Sequence, residues 1–243
     1  MRSWGVTDAG LVRHENQDSY DVRSIAGLTT AVVCDGMGGA AGGRLASLIA
    51  VDRFQRELEQ VLNENMSLQQ INQAAGYAVS LANDAIRRRA AEEEAFRHMG
   101  TTLVCALARE KQVVIINVGD SRAYHITRDG IRQISRDHSL VEALVERGEL
   151  TPEEAKHHPQ RNLITRALGP DASVQADSFY VEWKQGDFLL LCSDGLVNTV
   201  SDQEILFEVI HSGEPDTCLA RLVALSRQRG APDNVTAVLL MNI

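Results

Sequence analysis

Residues 101–135 constrain the fold more than any other stretch, and they read TTLVCALAREKQVVIINVGDSRAYHITRDGIRQIS. The apolar segments in this stretch are interrupted only by short polar turns that are charged or contain Asp-Gly, a pattern typical of consecutive β-hairpins. Short turns join antiparallel strands, whereas parallel strands need long crossover connections. The stretch therefore predicts an antiparallel sheet.

The rest of the chain adds further strands and separate helices. Apolar runs predict strands at residues 28–34, 101–108, 112–118, 122–127, 187–192 and 234–241. Helical periodicity predicts helices over residues 41–62, 68–96, 202–211 and 215–229. Because the long helices cluster apart from the hairpins instead of alternating with single strands, we expect a layered α+β architecture.

Residues 138–170 interrupt this pattern with polar sequence that contains proline and histidine. They predict a short helix pair, or a flap, laid over the sheet. No Ser/Gly linker or change of composition divides the 243 residues. We therefore expect one domain over residues 1–243.

The composition restricts the partners and the compartment. A formal net charge of −9 argues against nucleic acid or an anionic membrane as the main partner, although it permits a local basic site for a phosphate group. The four cysteines form no CxxC pair and three lie in apolar runs, which indicates buried thiols in a reducing compartment. The N-terminus lacks a signal pattern and no apolar run approaches about 20 residues, so we expect a cytoplasmic protein.

The glycine-rich segment DGMGGAAGGRLAS follows the first predicted strand and is similar to a phosphate-binding loop. A P-loop needs Lys and then Ser or Thr after its last glycine, but Arg44 and Leu45 stand at these positions. A dinucleotide-binding fingerprint needs a second strand with an acidic residue about 20 residues further on, but a long predicted helix follows instead. Both nucleotide interpretations are therefore weak.

Aspartates recur where predicted strands begin or end. They are Asp35, Asp120, Asp194 and Asp233, and Asp18 is a fifth acidic residue near the N-terminus. Unrelated turns are the alternative explanation, since Asp-Gly pairs commonly form turns. If the strand ends converge, these like charges require protonation or bridging cations. Carboxylates, together with a backbone carbonyl such as that of Gly36, suit hard ions, so the pattern predicts Mg²⁺ or Mn²⁺.

A pair of oxygen-bound metal ions suits hydrolysis of phosphate esters, because the ions acidify a shared water and neutralise the phosphoryl oxygens. Such chemistry also needs a cation for the substrate phosphate. Arg13, five residues before Asp18, is the candidate, and a plain surface arginine is the alternative. The signatures of other hydrolases are missing, since no cysteine is followed six positions later by arginine and neither GxSxG nor HExxH occurs.

Eight motifs occur in the same order as in the type 2C, or PPM, metal-dependent Ser/Thr protein phosphatases. They are RHENQD, VVCDGMGG, MGTTLV, INVGDSRAY, SRDHSL, ITRALG, CSDGL and DNVTAVLL. The chain resembles a minimal bacterial member of this family from about residue 4 to residue 241. The resemblance implies a four-layer α-β-β-α sandwich, in which two antiparallel sheets are flanked by helices.

The resemblance also assigns metal ligands. It implies that Asp35 bridges two core ions, Mn²⁺ or Mg²⁺, and that the carbonyl of Gly36 binds one of them. Asp194 and Asp233 would complete the shell of the other ion. Asp120 would join Asp194 at a third, weaker metal site.

Further roles surround these ligands. By resemblance, Asp18 acts through metal-bound water, Arg13 binds the phosphate, and Asn234 orients the adjacent aspartate-bearing loop. Arg13, Asp18 and Asp35 are thus the expected catalytic residues. Residues 139–165 correspond to a flap that influences substrate choice in such enzymes.

The proton donor is where the chain departs from the family. Some members carry histidine directly after the Asp-Gly pair, where this chain has Met37, and many bacterial relatives carry it at the position of Ala40. His138, in RDHS, is a candidate donor, although a hydrogen-bonded structural histidine is the competing interpretation. His157 and His158 lie in the flap, where we expect them to be exposed.

The function expected from this sequence is metal-dependent hydrolysis of phosphoserine and phosphothreonine in proteins, reversing the action of a Ser/Thr kinase. The partners expected are phosphorylated proteins, including the kinase or its substrates, with no nucleic acid and no membrane, and the protein is expected to be a monomer. A pseudophosphatase that binds phosphoproteins without turnover is one alternative, motivated by the missing histidines. A hydrolase of small phosphoesters is the other.

Overall fold

The computed structural model of the protein describes residues 1–39, 42–211 and 213–243. Strands in these ranges are β1 (Arg2–Asp8), β2 (Asp18–Ile25), β3 (Leu28–Met37), β4 (Gly100–Thr101), β5 (Leu103–Ala108), β6 (Gln112–Val118), β7 (Arg122–Thr127), β8 (Gly130–Gln133), β9 (Asp177–Glu182), β10 (Phe188–Cys192) and β11 (Val235–Met241). Helices are α1 (Gly42–Val61), α2 (Leu68–Glu92), α3 (Leu140–Glu146), α4 (Pro152–His157), α5 (Asp194–Val197), α6 (Asp202–His211) and α7 (Pro215–Gln228), with a 3₁₀ turn at Glu94–Phe96.

The strands form two antiparallel sheets. The first sheet has the order β1, β11, β10, β7, β8, and the second has the order β2, β3, β5, β6, β9, with β4 paired to β3. Every pairing is antiparallel. The antiparallel sheet and the α+β class predicted from the hairpin pattern are confirmed.

Three hydrophobic clusters separate four layers of structure. One cluster joins α1 and α2 to the second sheet, the next lies between the sheets, and the third joins α6 and α7 to the first sheet. Side chains of β3 alternate between two of them: Val32 and Cys34 face the helices, whereas Ala31 and Val33 face the opposite sheet. A strand covered on both faces is apolar throughout its length, which explains the continuous runs in the sequence. The α-β-β-α sandwich is confirmed.

Edge strands are the elements that the apolar pattern missed. The predictions over residues 112–118 and 122–127 match β6 and β7, which are central or near-central strands. Strands β1, β2 and β9 were not predicted, and each forms an edge of a sheet. The outer face of such a strand is open, as in the alternating exposure of residues 177–182, so a continuous apolar run is absent.

The interruption at residues 138–170 contains the predicted short helix pair, α3 and α4. Neither helix has a buried residue. An isolated bridge between Ser139 and Ile164 closes the base of this segment. We refer to residues 139–165 as the flap.

Two further observations concern the cysteines and the helices. Cys34, Cys105 and Cys192 are buried and free of disulfides, as their apolar neighbours predicted, and Cys218 is buried and free as well. In the described part of the chain, every helix falls short of the length and apolar character needed to cross a membrane.

Candidate metal centre

Asp18 and Asp35 lie directly opposite each other on the paired strands β2 and β3. Side chains at such positions have Cβ atoms about 4.5–5.5 Å apart, and like charges there destabilise the pairing. The sequence placed Asp35 at the end of its strand and at the start of a turn, which is wrong, because β3 continues to Met37. The turn follows at residues 38–39, two glycines with positive φ.

Gly36 has a packing role that the sequence analysis did not anticipate. A Cβ atom at this position would lie 2.1 Å from the carbonyl oxygen of Gly43 and 2.7 Å from that of Gln17. Only glycine therefore allows the first turn of α1 to approach β3 so closely. Gly36 itself lies within the strand. Its carbonyl as a metal ligand stays a prediction.

Asp120, Asp194 and Asp233 come from three other elements. Asp120 follows β6, Asp194 is the first residue of α5 directly after β10, and Asp233 lies two residues before β11. Gly195 brings the last two together, because a Cβ atom there would lie 2.0 Å from the carbonyl oxygen of Asn234.

The structure brings all five predicted aspartates into one group, which we call the acidic cluster: Asp18, Asp35, Asp120, Asp194 and Asp233. Asp35 is at its centre. Burial raises the pKa of this carboxyl well above its usual range, and the negative charges of the other four members raise it further. Each carboxylate of the cluster therefore acts electrostatically on Asp35, as convergence of the strand ends predicted.

Asp18 is almost completely buried, with 7 % of the residue exposed. Burial raises its pKa to about 6, although hydrogen bonds with Thr236 and Ser193 oppose the shift. The hydroxyl of Ser193 donates to Oδ2 over 2.8 Å. Ser193 thus holds Oδ2 in place. Ionisation of the Asp18 carboxyl is costly because the charge is buried away from water.

Asp120 and Asp194 are affected in the same direction. Burial and the negative charges of Asp194 and Asp137 raise the pKa of Asp120 to about 7. Burial, followed by the charge of Asp233, raises the pKa of Asp194. A cation placed among these carboxylates would remove the repulsion that raises their pKa values.

Two oxygens of the acidic cluster suit a cation directly. Oδ1 of Asp18 and Oδ1 of Asp194 are buried, and neither has a hydrogen-bond partner in the described part of the chain. Buried carboxylate oxygens are costly unless paired or coordinated to a metal. An all-oxygen donor set is the one that Mg²⁺ and Mn²⁺ prefer, so the residues present fit these ions.

Arg13 contacts the acidic cluster through Asp233. Its Nε donates to Oδ1 and its Nη2 donates to Oδ2, each over 2.8 Å, in a bidentate pair. The negative charges of Asp35 and Asp194 also act on the guanidinium. With Asp233 directed at Arg13, no three acidic, histidine or cysteine side chains within the described ranges already form a ready metal-binding group.

The profile of the family described as Protein phosphatase 2C matches residues 12–228 of the chain. The chain belongs to the protein phosphatase 2C family. It is a bacterial-type serine/threonine protein phosphatase, and activation by metal is a general property of the family.

Named relatives agree with this assignment. The chain is 38 % identical to the serine/threonine phosphatase stp of Listeria innocua over 96 % of this chain and 93 % of that protein. It is 35 % identical to the protein phosphatase PhpP of Streptococcus pneumoniae over 97 % and 95 %. Its fold is similar to the crystal structure of the serine/threonine phosphatase Stp1 from Staphylococcus aureus, with a TM-score of 0.92, 38 % identity and coverage of 98 % and 94 %.

Asn234 forms hydrogen bonds to two loops of this protein phosphatase. Its Nδ2 donates to the carbonyl oxygens of Ala9 (2.9 Å) and Glu15 (3.0 Å), and its Oδ1 accepts from the N–H of Gln17 (2.8 Å). These bonds fix the loop that carries Arg13. Its own N–H also donates to the preceding aspartate over 2.9 Å. These bonds join the loop that carries Asp233 to the loop that carries Arg13, and the orienting role of Asn234 stays a prediction.

Several hydroxyl residues of this protein phosphatase were missed as parts of the site. Thr102 accepts a hydrogen bond from the N–H of Asp35 (2.9 Å), and Thr101 donates to the carbonyl oxygen of Asp35 (2.8 Å). Ser121 lies 2.7 Å from the hydroxyl of Thr102. These hydroxyl residues are visible in the sequence as polar positions within the quoted motifs. Their hydrogen-bond partners were not predictable, because they lie far away in the chain.

His138 is buried, with 5 % of the residue exposed, and its ring is held on both sides. Nδ1 accepts from the N–H of Gly119 over 3.0 Å, and Nε2 lies 3.0 Å from Nη1 of Arg166 and 3.3 Å from Oδ2 of Asp177. Burial lowers the pKa of His138, and the positive charge of Arg166 lowers it further. The hydrogen bond with Asp177 raises it but does not offset the burial. This geometry favours the structural histidine over the proton donor.

The other positions discussed for proton donation have separate outcomes. Met37 ends β3, paired with Gly100, and Ala40 lies outside the described residues. His157 is exposed as expected, but His158 is half-buried and its Nδ1 accepts from the N–H of Gln160. The expectation of an exposed His158 was therefore wrong, because this residue ends α4 in a local turn.

Proposed function

We propose that this phosphatase hydrolyses phosphoserine and phosphothreonine in proteins, using two divalent ions held by the acidic cluster. The observation that carries the proposal is the convergence of five carboxylates from separate elements, two of them with buried, unpartnered oxygens, beside the guanidinium of Arg13. The names of the relatives, which specify serine and threonine phosphatases, support the substrate class.

The residues would divide the work as follows. Asp35, Asp194 and Asp233, with the carbonyl of Gly36, would hold two core ions, Mn²⁺ or Mg²⁺. Asp120 would share a third ion with Asp194. Ions of this kind acidify a coordinated water and neutralise phosphoryl charge.

Arg13 is suited to hold the substrate phosphate. A guanidinium has five N–H donors, and two of them are used by Asp233. The remaining donors can bind phosphate oxygens next to the acidic cluster, which keeps the phosphorus close to the carboxylates. Asp18 would accept a hydrogen bond from water through Oδ1, while Ser193 keeps Oδ2 in place.

Other aspects of the proposed function come from the sequence alone. We propose a single phosphatase domain over residues 1–243 in which the flap contributes to substrate choice. A cognate Ser/Thr kinase, a monomeric state and a cytoplasmic location stay predictions.

The decisive experiment measures phosphate release from a phosphothreonine peptide, first with Mn²⁺ and then with excess chelator. We expect turnover that chelator abolishes and that Asp194→Ala removes. Asp129→Ala, a substitution of an exposed aspartate in the turn between β7 and β8, is the matched control and should retain activity. Binding of the peptide without turnover would indicate the pseudophosphatase, and a strong preference for small phosphoesters would indicate the other alternative.

A further inference from the structure

His138 forms two hydrogen bonds with Gly119, one through its backbone N–H and one through Nδ1 of its ring. The N–H of His138 donates to the carbonyl oxygen of Gly119 over 2.9 Å, and the N–H of Gly119 donates to Nδ1 of His138 over 3.0 Å. Gly119 directly precedes Asp120 of the acidic cluster. His138 thus bonds to both the N–H and the carbonyl oxygen of Gly119, the residue before Asp120.

The same residue stands at the base of the flap. The carbonyl oxygen of His138 accepts from the N–H of Thr165 over 2.7 Å, and the N–H of Leu140 donates to the carbonyl oxygen of Leu163 over 2.9 Å. Between residues 140 and 166 no side chain is buried. Apart from Ser139, the flap has no buried side chain, so its orientation depends on these contacts at its base and on the ion pair between Arg136 and Glu146.

Gly119 is also closely packed on its other side, against Thr102 and Asn117. Its φ is +103°, and a Cβ atom there would lie 2.6 Å from the methyl group of Thr102. Nδ2 of Asn117 donates to the carbonyl oxygen of Gly119 (3.1 Å) and to that of Arg136 (2.9 Å). A close-packed turn of this kind transmits displacement instead of absorbing it.

The ring of His138 is held by the strand beyond the flap as well. Nε2 lies 3.3 Å from Oδ2 of Asp177, and Nη1 of Arg166 donates to Oδ1 of the same carboxylate over 2.8 Å. Arg166 directly follows the flap and Asp177 begins β9. The ring therefore bridges the segment before Asp120 and the segment after the flap.

We infer that His138 is a positioning residue that fixes the carboxylate of Asp120 and couples its position to that of the flap. This inference rests on the proposed function for the cation site at Asp120, whereas the hydrogen-exchange part of its test is independent of it. Loss of the Nδ1 acceptor releases the Gly119 backbone, which moves Asp120 away from its cation-binding position and loosens the base of the flap. Residues that orient metal ligands typically change metal affinity about 10–100-fold when substituted.

Two substitutions separate positioning from proton donation. In His138→Asn, Oδ1 takes about the position of Nδ1 and can accept from Gly119, but the side chain has no titratable proton. In His138→Ala, the acceptor is lost. We expect about a 10-fold higher half-saturating Mn²⁺ concentration for His138→Ala and less than about a 3-fold change for His138→Asn. A proton donor would instead require both variants to lose turnover equally, together with the alkaline limb of the pH profile.

A measurement independent of turnover is the rise in melting temperature on addition of Mn²⁺, combined with hydrogen exchange. We expect His138→Ala to give a smaller rise than wild type, with faster exchange both around residues 118–123 and in the flap, and unchanged exchange in β5. If His138→Ala is poorly folded, it is replaced by His138→Gln. This variant keeps a donor near Asp177 but lacks the Nδ1 acceptor.

Three outcomes would overturn the inference: equal Mn²⁺ response in wild type and His138→Ala, equal impairment of His138→Asn and His138→Ala, or faster exchange in only one of the two segments. Absence of phosphatase activity in the wild type would instead refute the proposed function. The melting and exchange measurements would still decide the role of His138.

Discussion

The hydroxyl of Ser193 donates a 2.8 Å hydrogen bond to Oδ2 of Asp18, across 175 positions of the sequence. Oγ of Ser193 also accepts from the N–H of Thr236 over 3.0 Å, and the N–H of Ser193 donates to the carbonyl oxygen of Thr236 over 3.0 Å. Ser193 thus connects the end of β10 to β11 and holds a carboxylate of the acidic cluster. All three residues are buried.

Ser193→Ala should lower the free energy of unfolding by about 1–3 kcal/mol, because it leaves the buried N–H of Thr236 without a partner and removes a hydrogen bond from the buried carboxylate of Asp18. Urea denaturation measures this loss. Ser24→Ala, at an exposed position in β2, is the control and should change stability by less than about 0.5 kcal/mol. Equal stabilities of the two variants would show that Ser193 does not support the site.

Thr102→Val tests the hydrogen bonds of the Thr102 hydroxyl separately from the packing of its side chain. Valine fills the same volume but cannot accept from the N–H of Asp35 or bond to Ser121. We expect a loss of about 1–3 kcal/mol in unfolding free energy and a fall in kcat/KM of about 10-fold or more from displacement of Asp35. Thr102→Ser keeps the hydroxyl and should restore most of both quantities. Failure of serine to do so would implicate the methyl group instead.

Arg13→Ala should reduce activity far more than stability. The pair with Asp233 is partly exposed, at 56 % and 32 % of the two side chains, so its loss should cost less than about 1 kcal/mol. If the guanidinium holds the phosphate, kcat/KM should fall about 100-fold. Arg44→Ala, which breaks an exposed pair with Glu15 on the same loop, is the matched control. Similar activities of the two variants would contradict phosphate binding by Arg13.

Stability in the presence of chelator should decrease as the pH rises from about 5 to 8. The pKa values of Asp18 and Asp120 are raised from 3.8 to about 6 and about 7. The folded chain therefore holds protons that the unfolded chain releases, and the resulting stabilisation is lost as the pH rises through the raised values. Melting temperatures at a series of pH values measure this effect.

Two further measurements test the origin of that pH dependence. Asp120→Asn should reduce the decrease between pH 5 and 8, because it removes one of the titrating groups. Mn²⁺ should raise the melting temperature more at pH 8 than at pH 5, since ionised carboxylates bind the cation better. Stability that is constant or increasing over this range in chelator would contradict the electrostatic account of the acidic cluster.

Much of the architecture followed from the residues themselves. Strands such as β6 and β7 are covered on both faces, so burial imposes an apolar run that is visible in the sequence. The edge strands β1, β2 and β9 were missed because their exposed faces impose no such run. Asp35, Asp120, Asp194 and Asp233 were found because Asp next to Gly or Asn near the end of an apolar run is a local pattern, whereas Asp18 was found through the ordered motifs, which also identified the family.

Contacts within the site were decided by the tertiary structure. Strand register set Asp18 opposite Asp35, sheet order set Arg13 against Asp233, and packing of the flap base set His138 against Gly119. The contact between Arg13 and Asp233, 220 positions apart, depends on how the strands are ordered in the sheet, and the other two depend on register and packing, which local sequence does not encode. The sequence by itself determined which side chains carry the chemistry. Only the fold determined which partner holds each one in place.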